Sequence, residues 1–247
     1  MRLAVPARAK LNLDLEVIGR RPDGYHDLRS TMQAIELHDL LLVEPAAQTA
    51  LSVSGLGVRS NDNSVLKAHA ALERAARRTL PAAIHLEKRI PPGSGMGGAS
   101  SDAAATLKGL KAIFKLDLGL EPIAAEIGSD VPFLLHGGAA LVEGRGEKVT
   151  PIDTTTPAWF AIAWPGIELS TQSVYRAWDE AGGKDLRRAA EHVEPRLKDF
   201  ATMLGEGWRM TGSGSAFFKP AATENEARVA IRGLDCWTAV TRAMERW

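Results

Sequence analysis

The sequence predicts an α+β protein with two lobes, and three observations lead to this fold class. Segments with helical and with strand periodicity follow one another in mixed order, without the regular βαβ alternation of a parallel sheet. Two loops of small residues, 91–101 and 211–216, interrupt these segments, one in each half of the chain. Residues 151–157 hold prolines and threonines without apolar periodicity, which is typical of a connection between domains. We therefore expect an N-terminal domain of residues 1–152 and a C-terminal domain of residues 153–247.

In the first half, apolar and polar residues alternate from Leu11 to Val17, which predicts a half-buried strand. Residues 21–24, Arg-Pro-Asp-Gly, place proline and glycine where a tight turn needs them. Apolar runs predict further strands, and amphipathic runs with capping residues predict helices. The strands are expected at 40–43, 51–53, 84–86 and 139–142, and the helices at 63–78, 103–114 and 122–127.

The second half has the same mixed character, with glycines at 182 and 183 predicted to form a connector. Thr223 and Glu226 stand at the spacing of a capping box, so a helix is expected to begin there. The strands are expected at 159–164, 208–210, 216–219 and 237–241, and the helices at 171–181, 194–204 and 224–232.

Composition narrows the class of protein. The chain has 247 residues and a formal net charge of zero, so no overall field favours nucleic acid or an anionic membrane. The one cysteine, Cys236, excludes an internal disulfide and is typical of a reducing compartment. No apolar run resembles a signal peptide or a membrane span. We expect a cytoplasmic globular protein without nucleic-acid or membrane partners, as a monomer or weak homodimer.

The first glycine loop is the most informative stretch, and it leads into an alanine-rich helix that residues 100–102, Ser-Ser-Asp, are expected to cap. Glycines let a ligand approach the backbone, and a helix N-terminus offers unpaired N–H groups and the positive end of a dipole. This combination predicts phosphate binding. The loop is not a Walker A motif, because no Gly-Lys-Ser/Thr follows, and a dinucleotide fingerprint fits poorly because no βαβ unit follows. A flexible surface loop is the weaker alternative. The loop comprises Pro91, Pro92, Gly93, Ser94, Gly95, Met96, Gly97, Gly98, Ala99, Ser100 and Ser101.

Three other motifs are ambiguous alone. Lys10 and Asn12 share one face of the predicted strand, which is either a functional pair or a solvated face. Asp130 lies between a Gly-Ser turn and a Val-Pro-Phe run, which suits a general base but also a capping aspartate. Residues 211–216, Thr-Gly-Ser-Gly-Ser-Ala, form either a ligand loop or a plain hairpin.

Together these motifs resemble the GHMP kinase superfamily. The resemblance extends from residue 1 to about residue 235 and is weak between about 176 and 207. It is closest to the branch that combines a Lys-x-Asn strand with the Pro-Asp-Gly-Tyr-His motif of residues 22–26. It implies an N-terminal lobe like ribosomal protein S5, a C-terminal α/β sandwich lobe, and an active site in the cleft. It also implies phosphorylation of a cytidine diphosphate sugar-alcohol of the non-mevalonate isoprenoid route, with ATP as co-substrate and Mg²⁺.

The resemblance implies roles for the catalytic and phosphate-binding residues. Asp130 would take the proton from the attacking hydroxyl, and Lys10 would keep Asp130 ionised and stabilise the developing alkoxide. Asn12 would orient Lys10 or a substrate hydroxyl. The glycine loop, 91–101, would hold the ATP phosphates through its N–H groups.

The resemblance also implies a substrate pocket. Tyr25 would stack on cytosine and His26 would bond its polar edge. Thr171 and Tyr175, four residues apart on one predicted helix, would close the pocket from the second lobe. The acceptor alcohol would lie near Gly212, Ser213 and Gly214.

Some features depart from the family pattern or stay open. Met96 and Ala99 stand where leucine and glycine are expected, and Ala99 would be strained if its φ were positive. The segment 191–194 also departs from the pattern. Adenine contacts are open, with Asn61, Asn63 and Lys88 as candidates that would serve equally as caps or surface groups. The sequence shows no cluster of acidic residues that is clearly suited to bind Mg²⁺, so phosphates and water would provide most of its ligands.

Two alternative functions remain. Another GHMP kinase, of homoserine or mevalonate type, would share the glycine loop but would not need Tyr25 and His26. A non-catalytic nucleotide sensor would need neither Lys10 nor Asp130, so their presence favours an enzyme.

Overall fold

The structure is a computed structural model that describes residues 1–57, 64–153, 158–183 and 185–247. It is an α+β fold of two lobes, each built on its own sheet. The first lobe contains β1 (Leu3–Asn12), β2 (Glu16–Arg20), β3 (His26–Pro45), β4 (Ala50–Gly55), α1 (Ser64–Ala76), β5 (Ala82–Lys88), α2 (Gly98–Ile113), α3 (Glu121–Ile127), α4 (Val131–His136), β6 (Ala139–Gly144) and β7 (Lys148–Ile152). The second lobe contains β8 (Trp159–Trp164), α5 (Thr171–Glu180), α6 (Leu186–Val193), α7 (Arg196–Leu204), β9 (Arg209–Met210), β10 (Phe217–Ala221), α8 (Glu224–Ala230) and β11 (Trp237–Arg242).

The first sheet is organised around β3, which is 20 residues long. Its order is β4-β5-β3-β6-β7, and β1 and β2 also pair with β3. The β4–β5 pair is parallel and the other pairs are antiparallel. Helices α1 to α4 bury their apolar side chains with the sheet in one large core. The long β3 strand therefore holds the positions of β1, β5 and β6 relative to one another.

The second sheet has the antiparallel order β11-β8-β10-β9 and packs with helices α5 to α8. A third apolar cluster joins the two lobes. It unites Leu11, Ile35 and Met96 of the first lobe with Phe160 and Phe218 of the second. Among the described residues, no helix is long and apolar enough to cross a bilayer.

The strand predicted from Leu11 to Val17 is wrong as one element, because β1 ends at Asn12 and β2 begins at Glu16. Asp14 breaks the ladder: its Oδ1 accepts the N–H of Thr31 at 2.6 Å, and its carbonyl accepts Ser30 Oγ at 2.6 Å. Local side-chain bonds of this kind compete with strand pairing.

The helix predicted at 103–114 begins five residues earlier, at Gly98. Its N-cap is Gly97, so the serines and aspartate of residues 100–102 are not caps. Helices α4 and α6 and strand β7 were not expected, and β3 is much longer than the predicted 40–43. Five of the six α4 residues are buried, so its sequence lacks the polar face that reveals a helix. β7 ends at Ile152, where the first domain was predicted to end.

Candidate active site

The glycine loop meets the second small-residue loop at the junction of the lobes. Gly93, Gly95 and Gly97 have φ of 58°, 77° and 74°, in the left-handed region that favours glycine. A Cβ on Gly95 would lie 2.3 Å from the carbonyl oxygen of Thr211. Ala216 N donates to Ser94 O at 3.0 Å. The two loops therefore touch backbone to backbone, which a side chain at Gly95 would prevent.

The buried residues of the glycine loop, 91–101, anchor it to the protein, and its other residues are exposed or half-buried. Pro91, Ser94 and Met96 are buried, whereas Gly93 and Ala99 are exposed. Met96 O accepts the N–H of Lys10 at 3.0 Å, which ties the loop to β1. Pro92 packs against Gly57, where a Cβ would lie 2.4 Å from its ring.

Helix α2 points its N-terminus at this junction. Its 16 residues begin at Gly98, so the N–H groups of Gly98, Ala99 and Ser100 lie in the first turn, which has no intrahelical acceptors. Ala99 is helical, so the strain considered for a positive φ does not arise. Ser101 Oγ donates to Arg8 O at 2.6 Å and fixes the turn to β1. The helix end offers unpaired N–H donors and the positive end of the helix dipole, which are the features that an anion site requires.

Lys10 and Asp130 are brought together beside this helix end. Lys10 Nζ lies 3.7 Å from Asp130 Oδ2. A Cβ on Gly97 would lie 3.1 Å from Lys10 Cγ and 3.6 Å from Asp130 Oδ2. Asp130 immediately precedes α4, and Lys10 is on β1. The family resemblance implied that these two residues act together, and the fold places both side chains next to Gly97, the N-cap of α2.

Asn12 connects the pair to the second lobe. Lys10 Nζ donates to Asn12 Oδ1, and Asn12 Nδ2 donates to Ser30 Oγ at 2.7 Å. The backbone N–H of Asn12 donates to Thr211 Oγ1 at 2.9 Å. These bonds fix the amide so that its oxygen faces the lysine.

Burial sets the electrostatics of the site. Lys10 is 4% exposed, and burial lowers its pKa, while the charge of Asp130 and its hydrogen bond oppose that change. The Asp130 side chain keeps 27% of its surface exposed. A cation with little access to water stands beside a carboxylate that a hydroxyl can still reach, which suits proton abstraction.

His26 forms a second polar centre with α5. Its Nε2 lies 2.8 Å from Asp179 Oδ1, and its ring stacks on Tyr175 at 4.9 Å between centroids. The Trp178 ring meets it edge-on at 5.4 Å. Burial raises the pKa of Tyr175, and the charge of Asp130 adds to the rise. Tyr175 therefore stays neutral; its ring stacks on His26, and it is near enough to Asp130 to be affected by that charge.

Tyr25 is not part of this centre. Its side chain is 52% exposed, and the guanidinium of Arg145 lies 5.2 Å from its ring centroid. Tyr25 and His26 are adjacent in the sequence, but their side chains have different partners, Arg145 for Tyr25 and helix α5 for His26.

The second small-residue loop, 211–216, lies against Lys10 and the start of α5. A Cβ on Gly212 would lie 3.2 Å from Lys10 Nζ, so this glycine leaves room at the lysine. Ser213 Oγ lies 3.1 Å from Thr171 Oγ1, which joins the loop to the start of α5. A Cβ on Gly214 would lie 2.8 Å from Met210 Sδ, whereas the backbone oxygen of Gly214 would lie 2.9 Å from a Cβ on Gly95 of the first loop.

Of the adenine candidates, Asn61 and Asn63 lie outside the described residues. Lys88 keeps 14% of its side chain exposed and pairs with two carboxylates, Asp39 and Asp102, so its ammonium is directed inward. The described residues contain no group of three or more His, Cys, Asp or Glu side chains that could hold a metal ion.

The sequence reasoning missed Asp179 and Trp178. Asp179 lies four residues after Tyr175 and eight after Thr171, so all three share one face of α5. Extending that helical spacing by one more step would have identified the aspartate. Trp178 gives no such signal, because it reads as a core residue.

Comparison with known proteins identifies relatives along most of the chain. Residues 63–138 match the family model of the GHMP kinases N terminal domain. A 4-diphosphocytidyl-2-C-methyl-D-erythritol kinase of Chromohalobacter salexigens is 35% identical over 94% of this chain and 87% of its own length. The kinase of the same name from Exiguobacterium sibiricum is 36% identical over 95% of this chain and 94% of its own length.

Solved structures agree with the sequence relatives. A crystal structure of 4-(cytidine 5'-diphospho)-2C-methyl-D-erythritol kinase matches with a TM-score of 0.81 and 33% identity, over 98% of this chain and 99% of the other. Homoserine kinase from Cytophaga hutchinsonii matches with a TM-score of 0.71 and 16% identity, over 99% and 95%, which shows a shared fold. By its sequence relatives, its N-terminal match and its fold, the chain belongs to the 4-diphosphocytidyl-2-C-methyl-D-erythritol kinase family of the GHMP kinases.

Proposed function

We propose that this protein transfers the γ-phosphoryl group of ATP to the 2-hydroxyl of 4-diphosphocytidyl-2-C-methyl-D-erythritol, in the non-mevalonate route to isoprenoid precursors. The observation that carries the proposal is the buried Lys10 beside Asp130, 3.7 Å apart at the N-terminus of α2. A general base, a cation and an anion site at one point are what phosphoryl transfer to an alcohol requires.

In this proposal Asp130 accepts the proton of the hydroxyl as its oxygen attacks the γ-phosphorus. The bond between the γ-phosphorus and the β,γ-bridging oxygen breaks, and ADP leaves with that electron pair. Lys10 stabilises the negative charge that develops on the attacking oxygen. Asn12 holds the lysine ammonium through its amide oxygen.

The N-terminal turn of α2 and the glycine loop hold the phosphates. Their N–H groups and the helix dipole attract negative charge without a side-chain cation. Because the described residues lack an acidic cluster, we propose that Mg²⁺ is held mainly by phosphate oxygens and water. When bound, Mg²⁺ would neutralise part of the negative charge of the phosphates.

The cytidine moiety is assigned to the centre formed by His26 and α5. His26 offers ring nitrogens to the polar edge of a base, with Asp179 2.8 Å away to orient it. Thr171, Ser213 and Tyr175 line the path from this centre towards Lys10. The ring of Tyr25 lies against the Arg145 guanidinium and would have to leave it to stack on the base. We therefore place Tyr25 at the edge of the cytidine site.

We further propose that the protein works in the cytoplasm as a monomer or weak homodimer, without nucleic acid. The zero net charge and the single cysteine support this assignment.

The test is an ADP-release assay with Mg·ATP and the cytidine substrate, run beside homoserine and mevalonate. We expect turnover with the cytidine substrate alone, and a His26→Ala variant with a raised KM for that substrate and an unchanged KM for ATP. Turnover with homoserine or mevalonate would keep Lys10 and Asp130 in their roles but overturn the cytidine pocket. Tight ATP binding with no turnover on any alcohol would favour the nucleotide sensor.

A further inference from the structure

A buried cluster of charges lies behind the glycine loop, and the proposed reaction does not use it. Lys88 Nζ, at the end of β5, donates to Asp102 Oδ2 at 2.6 Å and also to Asp39 Oδ2. Asp39 is fully buried on β3, and its Oδ1 accepts the backbone N–H groups of Arg89 and Ile90. One cation, with 14% of its side chain exposed, therefore faces two carboxylates that are almost completely shielded from water.

The two carboxylates are not equivalent. Asp39 has three donors, one from Lys88 and two from the backbone, so both of its carboxylate oxygens are hydrogen-bonded. Asp102 is 3% exposed, and its Oδ1 has no hydrogen-bond partner. A bare, ionised oxygen in this position would be costly, whereas a proton on it removes the charge. Asp102 is therefore the carboxyl that stays neutral beside the Lys88–Asp39 pair.

The electrostatics of the cluster support this assignment. Burial raises the pKa of Asp102 to about 8, with Asp39 adding to the rise and Lys88 opposing it. The two acids also raise the pKa of Lys88 despite its burial. Lys88 thus keeps its charge over the range in which Asp102 titrates.

Many charged groups around α2 have partners other than Asp102. Among them are Lys10 with Asp130, Arg8 and Lys108 with the Trp247 ring, His38 with the Glu36 carbonyl, His69 with Glu73, Arg74 with Glu126, Glu87 with Arg89, Lys111 with the Leu118 carbonyl, and His136 with Glu121. Burial lowers the pKa of Lys108 to about 8, and this lysine is present in the wild type and in both variants tested below. Lys88 and Asp39 are the groups to which Asp102 responds.

The cluster is close enough to the phosphate site to matter. Asp102 lies in the second turn of α2, and a Cβ on Gly98, the first residue of that helix, would lie 3.4 Å from Lys88 Nζ. A negative charge near a helix N-terminus is ordinarily favourable. Here the phosphates of ATP would occupy that same positive end, so an ionised Asp102 would repel them.

We propose that Asp102 carries a proton when ATP is bound, and that loss of this proton weakens ATP binding without changing the chemical step. This inference rests on the proposed ATP site and adds a control by pH. By reciprocity, ATP must raise the affinity of Asp102 for its proton as much as the proton raises the affinity for ATP.

The test measures the Kd of Mg·ATP from pH 7 to pH 9.5 for the wild type, Asp102→Asn and Asp117→Asn. Asparagine mimics the neutral acid, and Asp117 is an exposed aspartate beyond the end of α2 that provides a matched loss of charge. We expect the wild-type and Asp117→Asn Kd to rise about tenfold over this range, which corresponds to a one-unit rise in the pKa of Asp102 on binding ATP. Asp102→Asn should change less than twofold, with kcat close to wild type in every case.

A carboxyl-carbon NMR titration of the wild-type protein, with and without ATP, measures the same quantity without a variant. It decides the matter even if Asp102→Asn fails to fold. The inference is overturned if Asp102 titrates at an ordinary aspartate value, or if the wild type and Asp102→Asn share one pH profile. Absence of ATP binding in every variant would instead overturn the proposed ATP site itself, and this inference with it.

Discussion

Lys10 shows how a single residue obtains its chemistry from its surroundings. From β1, its aliphatic stem is buried against the glycine loop, and its ammonium faces Asn12 and Asp130. On an exposed strand the same lysine would be a solvated surface charge. In the fold, low access to water strengthens its interaction with Asp130 and with any oxyanion that forms there.

Replacing Asp130 by asparagine keeps the shape of the site but removes its base. We expect kcat to fall by about 10²–10⁴-fold, the usual contribution of general-base catalysis. The Kd of Mg·ATP should stay within about twofold, because the phosphate site does not include Asp130. ADP release and direct ATP binding measure the two quantities. Retention of more than a few per cent of activity would show that Asp130 is not the base.

Asp179 is expected to act through His26. Asp179→Asn removes a charged hydrogen-bond partner 2.8 Å from the imidazole, which is worth about 10-fold or more in affinity. We expect a higher KM for the cytidine substrate, with kcat and the KM for ATP little changed. The neighbouring Glu180 is exposed, so Glu180→Gln serves as the control. Equal effects of the two variants would argue against this role.

At the scale of elements, the contact between the two glycine loops fixes the site. Gly95→Ala would place a Cβ 2.3 Å from Thr211 O at a φ of 77°. Gly166→Ala imposes the same backbone strain, at a φ of 75°, with nothing within 4 Å of the Cβ. We expect Gly166→Ala to cost about 1 kcal/mol of stability with near-normal activity.

For Gly95→Ala we expect a larger loss of stability and at least a tenfold loss of kcat/KM, since the loops must separate. Urea unfolding and steady-state assays of both variants measure the difference. If both variants behave alike, the close approach of the loops has no functional weight.

From the sequence, the presence of the elements around the site could be predicted better than the residues at which they begin and end. The first glycine loop could be read from local chemistry, because a run of glycines before a helix is a local signal. Lys10, Asp130 and the loop 211–216 were ambiguous alone, and their roles followed only from the combined resemblance to a family. The start of α2 could not be predicted, since Gly98 is a poor helix former and is held by tertiary contacts.

Contacts between residues that are far apart in the sequence could not be predicted either. Asp102 looks like a helix cap in the sequence, and Lys88 looks like a surface residue at a strand end. Their pairing with Asp39 depends on β3, β5 and α2 coming together. Similarly, the different environments of Tyr25 and His26 follow from packing against α5 and Arg145, not from their own motif.

At the scale of the whole molecule, the apolar cluster between the lobes makes them one unit. We propose that residues 1–152 and 153–247 are two lobes that unfold together. Phe218 is fully buried in this cluster and meets Phe160 edge-on at 6.0 Å. Ile35 pairs with Ala243 through an isolated bridge, which adds a backbone link.

Phe218→Ala should therefore destabilise both lobes, by about 3–5 kcal/mol. All six tryptophans lie at residue 159 or later, so tryptophan fluorescence reports mainly on the second lobe, whereas circular dichroism reports on both. We expect the two midpoints to coincide and to fall together in the variant. Val229→Ala, at an exposed apolar position, is the control. Midpoints that separate would indicate lobes that unfold independently.

The bond from Asn12 to Thr211 joins residues 199 positions apart, and this separation orders events during synthesis. A ribosome adds about 5–20 residues per second, so roughly 6–23 s pass between the emergence of Ser101 and of Ala216. Throughout that interval the carbonyls of Gly93 and Ser94 lack the donors that later come from Ser215 and Ala216. A nascent chain thus carries residues 91–101 tied to β1 but without these two donors from the second lobe. Under the proposed ATP site, we therefore expect nucleotide to stabilise the protein fully only after residues 211–216 have been made.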